Sequence, residues 1–219
     1  MPTSLPNLNL MPLSPTKIVC VGRNYRAHAR ELGNEVPSEP LIFLKPPSSM
    51  IGSGEPIVLP RASAQVEFEG EIGVVLSARL RNARPLEADA AVAGVVALND
   101  VTARDLQRRD GQWTRAKGFD SFCPVAETPV PVNDLETLTV ITRVNGVERQ
   151  RGSASEMVFS IPELLAYISR IMTLEPGDLI ATGTPAGVGP LAEGDEVEIQ
   201  IDGVSRVRNP VINEGEATS

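Results

Sequence analysis

The sequence predicts an α+β domain with a β-rich core and a few flanking helices. Many short apolar runs have the length of strands. Asn-Gly and Asp-Gly pairs, at 145–146 and 202–203, follow β-rich segments at positions where tight hairpin turns form. The clearest helical pattern covers 160–172, where Ser160 and Glu163 form a capping box ahead of an apolar stripe. We therefore expect many strands and few helices.

The predicted strands are apolar or alternating runs that stop at turn-forming residues. They cover 17–21, 41–44, 66–76, 91–98, the two arms of 138–150, 178–181 and 197–201. The run 66–76 alternates acidic and other residues in its first half and is mostly apolar in its second half. We therefore expect a single strand whose second half is buried.

Two shorter helices are predicted from their end signals. Asn24 has the position of an N-cap for a helix over 25–32, and Gly33 has that of the left-handed residue after its end. Thr102 is expected to cap a second short helix, which follows the strand 91–98.

The composition is that of a soluble globular protein with an acidic balance. Among 219 residues, 20 Lys and Arg stand against 28 Asp and Glu, which gives a net charge of −8. This excess argues against nucleic acid and anionic lipid as partners, because both bind basic surfaces. No apolar run approaches the roughly 20 residues of a membrane span. The first residues lack the pattern of a signal peptide, so we expect a cytoplasmic protein.

Histidine and cysteine are too few for several kinds of metal site. His28 is the single histidine, which excludes H-E-x-x-H zinc proteases and other multi-histidine sites. Cys20 and Cys123 cannot form a disulfide scaffold or a four-cysteine zinc site, and their apolar neighbours predict buried thiols. Any metal ion must therefore be held mainly by oxygen ligands.

Acidic residues on two predicted strands form the first candidate site. Glu67, Glu69 and Glu71 are spaced two apart, so they point to one face of one strand. Asp100 directly follows a second apolar strand. Carboxylates gathered in this way suit a hard cation such as Mg²⁺, Mn²⁺ or Ca²⁺. The alternative interpretation is a solvated strand face without a ligand.

The single histidine forms a second candidate site. His28 and Glu31 are three residues apart on a predicted helix, so they share one face. A carboxylate beside an imidazole orients the ring and raises its basicity, which suits a general base acting on water. The alternative is an ion pair on the surface of an amphipathic helix.

Two further features have no clear meaning when taken alone. The glycine-rich loop 182–189 could present backbone N–H groups to an anionic substrate, or could simply connect two strands. Lys117 lies among small and apolar neighbours and could pair with a substrate carboxylate or an enolate oxygen, although most lysines are solvated. Arg104 and Gln107 have the same two interpretations.

Six segments of the chain resemble the fumarylacetoacetate hydrolase family, in the family's order and spacing. The segments are GRNYRAHARELG (22–33), FLKPPSS (43–49), VEFEGEIGVVL (66–76), ALNDVTARDLQ (97–107), AKGFDSFCPV (116–125) and TGTPAGVGP (182–190). The chain is most similar to the short members, which include acylpyruvate hydrolases, oxaloacetate decarboxylases and 2-hydroxyhepta-2,4-diene-1,7-dioate isomerases. The resemblance implies a catalytic domain at 17–212, between an irregular segment at 1–16 and a frayed tail at 213–219.

The resemblance also implies a mixed β-roll, a homodimer, and roles for individual residues. The implied roles are metal ligands for Glu69, Glu71 and Asp100, catalysis for His28, Glu31 and Lys117, and substrate binding for Arg104, Gln107 and Thr184. The implied metal is Mg²⁺ or Mn²⁺. Glu67 stands where relatives often carry Asp or His, and the stretch 124–131 departs from the family pattern, so neither receives a role.

The function implied is metal-dependent hydrolysis of a C–C bond in a 2,4-dioxo acid such as an acylpyruvate. The 2-oxo acid end of this small-molecule substrate would bind the metal and leave as a metal-bound enolate, while His28 deprotonates the attacking water. Decarboxylation of oxaloacetate and isomerisation of a hydroxyheptadienedioate pass through the same enolate and stay open. An alternative of another class is a non-catalytic metal- or ligand-binding domain.

Overall fold

The part of the chain with described coordinates excludes both ends. The structure, a computed structural model, describes residues 13–31, 33 and 35–215. The predicted irregular segment 1–16 and tail 213–219 therefore lie mostly outside the described residues, as does Leu32 at the predicted end of the first helix. Within the described ranges, no helix is both long enough and apolar enough to cross a membrane.

The described residues form many short strands and few helices, which confirms the predicted α+β, β-rich class. The strands are β1 (Ile18–Gly22), β2 (Leu41–Lys45), β3 (Met50–Ile51), β4 (Ile57–Leu59), β5 (Val66–Phe68), β6 (Gly70–Leu76), β7 (Val92–Asn99), β8 (Thr102–Ala103), β9 (Cys123–Pro124), β10 (Thr139–Val144), β11 (Val147–Ser153), β12 (Leu179–Ala181), β13 (Gly189–Pro190), β14 (Glu196–Ile201) and β15 (Ser205–Asn213). The α-helices are α1 (Arg26–Glu31), α2 (Pro85–Ala90), α3 (Arg104–Asp110), α4 (Thr114–Lys117) and α5 (Ile161–Ile171), with 3₁₀ helices at Pro47–Ser49 and Ala154–Glu156.

Two five-stranded sheets form the body of the domain. The first has the order β2-β1-β12-β6-β7, in which β1 and β12 are parallel and the other neighbours are antiparallel. The second has the order β11-β10-β14-β15-β4, in which β15 and β4 are parallel. Smaller sheets, β13-β5-β8 and β3-β9, complete the mixed arrangement.

The core lies where the two large sheets face each other. Strands β6 and β7 of the first sheet pack against β14 and β15 of the second. Val197, Ile199 and Ile201 are buried on β14, as their alternation predicts. Cys20 and Cys123 are buried free thiols, also as predicted.

The turn and helix signals of the sequence are largely confirmed. Asn145 and Gly146 connect β10 to β11 with φ angles of +52° and +77°, which both residues adopt readily. The carboxylate of Glu163 accepts the Ser160 N–H at 2.8 Å at the start of α5. Ile171, an apolar residue within the predicted helix 160–172, is instead 54% exposed at the last residue of α5.

The predicted single strand over 66–76 is wrong, because it divides at Glu69. Strand β5 pairs with β13 and β8, whereas β6 pairs with β12 and β7 in a different sheet. The amide of Glu69 bonds to the side chain of Asn99 at 2.9 Å instead of joining a ladder. The acidic residues therefore lie at a junction between two sheets.

Two predicted helix caps are also wrong, because their side chains bind elsewhere. The amide of Asn24 donates to the carbonyls of Thr182 at 2.9 Å and Phe159 at 3.1 Å, and it accepts the Phe159 N–H at 2.9 Å. The hydroxyl of Thr102 donates to the carbonyl of Asp100 at 2.9 Å. The Asn24 side chain thus connects loops at the end of the first sheet, and the Thr102 side chain makes a local bond within the turn after β7.

Gly70 is required at the junction between β5 and β6. A Cβ atom there would lie 2.0 Å from the Thr142 hydroxyl oxygen, deep inside the domain. We predict that Gly70→Ala lowers the free energy of unfolding by about 1–3 kcal/mol, the usual cost of overpacking a core. Urea denaturation measures this loss, with Gly215→Ala as the control, since a Cβ at Gly215 meets nothing within 4 Å. Equal stability of both variants would contradict the steric argument.

Candidate active site

The predicted site residues converge at one end of the first sheet. Strands β1 and β12 are parallel and both end there. Strand β6 runs antiparallel to β12, so β6 begins at this end. Strand β7 runs antiparallel to β6, so β7 ends there, and Gly70 pairs with Asn99. The loops that follow β1, β7 and β12 therefore meet around the acidic junction at Glu69.

Three buried carboxylates meet at this junction. Glu69, Glu71 and Asp100 each offer one oxygen, and these oxygens lie within 4.8 Å of one another. Each side chain is at most 7% exposed. The alternative of a solvated strand face is therefore excluded for these residues. Glu67 is not part of this group, and its carboxylate accepts hydrogen bonds from Arg104 at 2.8 Å and from Gln65 at 2.6 Å.

Two lysines neutralise part of the carboxylate charge. The Lys117 Nζ donates to Glu69 at 2.9 Å and to Asp100 at 2.6 Å. The Lys45 Nζ donates to the other oxygen of Asp100 at 2.7 Å and to the carbonyl of Val101 at 3.1 Å. Both lysines are almost fully buried, so their ion pairs are shielded from water.

Lys45 is a site residue that the sequence analysis missed. It ends the apolar strand β2, and its segment FLKPPSS belongs to the family resemblance without a role for the lysine. The available signal was a lysine at the end of a short apolar run. If such a lysine is buried with its strand, it needs a charged partner, which here would point to the acidic residues.

The charges around the junction shift the pKa values of its groups in opposite directions. Burial alone would raise the pKa of Glu69, but Lys117 and Arg104 hold it well below its usual range. Burial, with Asp100 and Glu69 beside it, raises the pKa of Glu71 well above its usual range. Burial opposes the charge of Lys117, yet Asp100 and Glu69 outweigh it and raise its pKa.

Arg104 connects the acidic junction to the predicted substrate contact Gln107. Its guanidinium binds both Glu67 and Glu69, and a third nitrogen donates to Oε1 of Gln107 at 2.6 Å. Since Oε1 of Gln107 accepts this bond, its NH₂ group stays available as a donor. Gln107 and Arg104 both line the cavity described below.

The predicted dyad of His28 and Glu31 forms on α1. The Nδ1 atom of His28 lies 3.4 Å from a Glu31 oxygen, and the imidazole is buried. The Glu31 carboxylate is about one-third exposed and also accepts the Gly187 N–H at 3.0 Å. An Nδ1–H that donates to this carboxylate leaves Nε2 as an acceptor, and His28 lines the cavity.

The glycine-rich loop after β12 binds the protein's own carboxylates. The N–H of Gly183 donates to Glu71 at 2.7 Å, and that of Gly187 donates to Glu31. These two N–H groups therefore already have partners within the protein. Gly187 has a φ of +101°, and a Cβ there would lie 2.2 Å from the carbonyl oxygen of Arg149. Only glycine meets both conditions.

Thr184 lines the cavity but uses its hydroxyl within the protein. The Oγ1 atom donates to the carbonyl of Gly70 at 2.9 Å and accepts the side chain of Gln150 at 2.7 Å. Its single hydroxyl proton is therefore already committed, so the hydroxyl could meet a substrate only as an acceptor.

A cavity of about 290 Å³ brings these side chains together. Eight of the nine predicted site residues line it, namely His28, Glu69, Glu71, Asp100, Arg104, Gln107, Lys117 and Thr184. Glu31 stands behind His28. Phe43 and Trp113 form an apolar wall, with ring centroids 5.1 Å apart, and the Lys117 Nζ lies 4.9 Å from the Phe43 centroid. The stretch 124–131 supplies none of the described lining residues.

The three carboxylates fit a hard divalent cation. All of the donor atoms are oxygens, they are buried, and they come from two strand ends that the sheet holds in place. Within the described residues, Glu71 forms no ion pair with a lysine or arginine, so its carboxylate, once ionised, lacks a cationic partner. A divalent ion would supply one.

The chain belongs to the fumarylacetoacetate hydrolase family. The family model described as "Fumarylacetoacetate (FAA) hydrolase C-terminal" matches residues 17–212, which includes every residue of the site. This match confirms the family resemblance and the fold class that it implied.

Several named relatives are enzymes that act on dicarboxylic 2-oxo or 2-hydroxydienoic acids. The mitochondrial oxaloacetate tautomerase FAHD1 of Mus musculus is 45% identical over 198 residues, which cover 87% of this chain and 89% of that protein. The mitochondrial oxaloacetate decarboxylase of Dictyostelium discoideum is 43% identical, with 86% and 89% covered. The crystal structure of 2-hydroxyhepta-2,4-diene-1,7-dioate isomerase from Mycobacterium marinum superposes with a TM-score of 0.85 at 43% identity, covering 94% of this chain and 77% of that one.

Glu71→Gln should stabilise the metal-free protein at neutral pH. The raised folded-state pKa of Glu71 means that the native state keeps a proton that the unfolded chain has lost above the ordinary carboxyl range. The contribution of Glu71 to the stability of the metal-free wild type therefore falls as pH rises above the ordinary carboxyl range towards the raised pKa of Glu71, and the variant lacks that loss. Urea denaturation in EDTA across pH 4–8 measures the difference, which should widen as pH rises.

Added metal should reverse the order of stability of the two proteins. At a Mn²⁺ concentration 100 times Kd, the wild type should gain about 2.7 kcal/mol. Glu71→Gln should gain far less, because one carboxylate ligand is lost. An equal gain in both proteins, or a pH-independent difference in EDTA, would show that the role given to Glu71 is wrong.

Proposed function

We propose that this protein is a divalent-metal-dependent enzyme that hydrolyses a C–C bond in a 2,4-dioxo acid of the acylpyruvate type. The observation that carries this proposal is the presence of two sets of groups at one cavity. The carboxylates Glu69, Glu71 and Asp100 line one part, and His28, backed by Glu31, lines another. Hydrolysis needs both a site for the 2-oxo acid and a base for water, whereas decarboxylation needs only the first.

Glu69, Glu71 and Asp100 would hold Mg²⁺ or Mn²⁺. When bound, the ion would supply Lewis-acid polarisation of an oxygen of the substrate. Four carboxyl groups, including Glu67, stand against the cations Lys45, Arg104 and Lys117, so ionisation of all four, Glu71 included, would leave an excess of negative charge for the ion to offset. The donor set favours Mg²⁺ or Mn²⁺ over thiophilic metals.

Lys117 and Gln107 would bind and orient the 2-oxo acid. The Lys117 ammonium is held by Glu69 and Asp100 and lines the cavity, where it can stabilise negative charge that develops on a substrate oxygen. Arg104 donates to Oε1 of Gln107, so the NH₂ group of Gln107 is free to donate to a carboxylate or carbonyl oxygen of the substrate.

His28 would act as the general base. Its Nε2 would take a proton from water, whose oxygen attacks the distal carbonyl carbon, while Glu31 holds the ring by its Nδ1–H. The bond between that carbon and C3 then breaks, and its electron pair moves into the pyruvate fragment. A proton delivered to C3 completes pyruvate, and the acyl fragment leaves as a carboxylic acid.

Oxaloacetate chemistry is the second candidate function. The names of the mouse and Dictyostelium relatives favour it, at 45% and 43% identity. Decarboxylation and tautomerisation of oxaloacetate would use the same carboxylates and Lys117 but no attacking water. We also propose a homodimer, which rests on the family resemblance and is decided by light scattering.

His28→Ala tests the dyad directly. We expect hydrolysis of acetylpyruvate to fall by about 10²–10⁴-fold, the usual contribution of a general base. Mn²⁺ affinity should be unchanged, since His28 is not a ligand in this proposal. Arg30→Ala is the matched control, because Arg30 lies on the same helix and is exposed. If the variant hydrolyses acetylpyruvate at the wild-type rate, His28 is not the base.

A substrate panel tests the reaction itself. Acetylpyruvate, fumarylpyruvate, oxaloacetate and 2-hydroxyhepta-2,4-diene-1,7-dioate are assayed with Mg²⁺, with Mn²⁺ and with EDTA. We expect turnover of an acylpyruvate that depends on metal and disappears in Glu71→Ala. Turnover confined to oxaloacetate would favour the second candidate, and no turnover of any compound would favour a non-catalytic binding domain.

A further inference from the structure

Gln150 on β11 makes an unusually complete set of buried hydrogen bonds. It is 1% exposed. Its Oε1 accepts the Gly70 N–H at 3.0 Å and the Thr142 hydroxyl at 2.8 Å. Its Nε2 donates to Thr184 Oγ1 at 2.7 Å and to the Pro185 carbonyl at 2.8 Å. Both acceptor sites and both donor protons of the amide are therefore used.

The partners leave the amide only one orientation. The Gly70 N–H can only donate, so it must face Oε1, and the Pro185 carbonyl can only accept, so it must face Nε2. A flipped amide would set two donors against each other and two acceptors against each other. The side chain is thus a rigid link between β6 and the loop that follows β12.

This link holds Gly70, the residue that lies between the candidate metal ligands Glu69 and Glu71. Gly70 separates Glu69 from Glu71, and its N–H is bound directly by Gln150. Its carbonyl is bound through Thr184, which itself accepts from Gln150. One side-chain amide therefore restrains the N–H and the carbonyl of Gly70, the residue that joins Glu69 to Glu71.

The same link places the loop that holds Glu71 and Glu31. Gly183 and Gly187, on either side of Thr184 and Pro185, donate to Glu71 and Glu31. The loop also packs closely on β11. A Cβ at Gly187 would lie 2.2 Å from the Arg149 carbonyl oxygen, and a Cβ at Gly152 would lie 2.5 Å from Pro185.

We propose that Gln150 is a positioning residue that sets the spacing of the carboxylates Glu69 and Glu71 and couples them to the His28–Glu31 dyad. It touches neither substrate nor the candidate metal ion in this account, since it does not line the cavity among the described residues. The functional part of the inference rests on the proposed function. The positional part rests on the hydrogen bonds alone.

The test compares Gln150→Met with Gln200→Met. Methionine keeps the length of glutamine without its polar atoms, and Gln200 lies on β14 away from the cavity. Three properties are measured on each folded protein: Mn²⁺ affinity by electron paramagnetic resonance, kcat and KM for acetylpyruvate, and hydrogen exchange of the amides at 183 and 187. We expect Gln150→Met to weaken Mn²⁺ binding by about 10–100-fold, as loss of an outer partner of metal ligands does. We also expect it to lower kcat and speed exchange at both amides.

A second variant covers the case in which Gln150→Met does not fold. Gln150→Glu keeps the acceptor that faces Gly70 and loses both donors to the loop. It should therefore speed exchange at 183 and 187 and lower kcat, with a smaller change in Mn²⁺ affinity than Gln150→Met.

The outcomes separate this inference from the proposed function. If wild type neither binds Mn²⁺ nor turns over a 2-oxo acid, the proposed function fails, and the exchange rates alone decide the positional claim. If wild type is active and a Gln150 variant loses only thermal stability, with unchanged Mn²⁺ affinity, kcat and exchange, the inference is overturned.

Discussion

The burial of several carboxylates in one small space is the constraint on which this structure depends. Like charges at such distances repel strongly when water is excluded, so each must have a partner or keep its proton. Lys45, Lys117 and Arg104 provide partners for Asp100 and Glu69, but among the described residues Glu71 receives only a backbone N–H. The raised pKa of Glu71 follows from this arrangement. A divalent cation would complete the charge balance.

The fold brings the carboxylates together because several strands end at the same place. The acidic junction forms because the chain passes from one sheet to another at Glu69, where the backbone N–H donates to the side chain of Asn99 instead of to the backbone of a strand. The loop after β12 then closes over it, and its glycines donate to Glu71 and to Glu31. The same loop thus contacts the candidate metal ligands and the histidine dyad, which explains how one cavity can contain both.

Local patterns predicted the elements, but long-range contacts decided how the site is built. Hairpin turns at Asn145-Gly146 and the alternation on β14 depend on neighbouring residues, so the sequence was sufficient. The division of 66–76 could not be predicted, because it depends on Asn99, which is distant in the chain. Asn24 was likewise predicted to be a helix cap because its actual partners, at 159 and 182, are distant in the sequence. The residue pattern offered most of the site residues as candidates, their roles came from the family resemblance, and neither gave a role to Lys45.

The central claim is that the buried carboxylates form one site for a divalent cation. Titration of EDTA-stripped protein with Mn²⁺, followed by electron paramagnetic resonance of the free ion, tests it most directly. The account predicts one Mn²⁺ per chain, displaced by Mg²⁺ and absent from a variant that combines Glu69→Gln, Glu71→Gln and Asp100→Asn. No saturable binding to wild type, or equal binding to the triple variant, would contradict it.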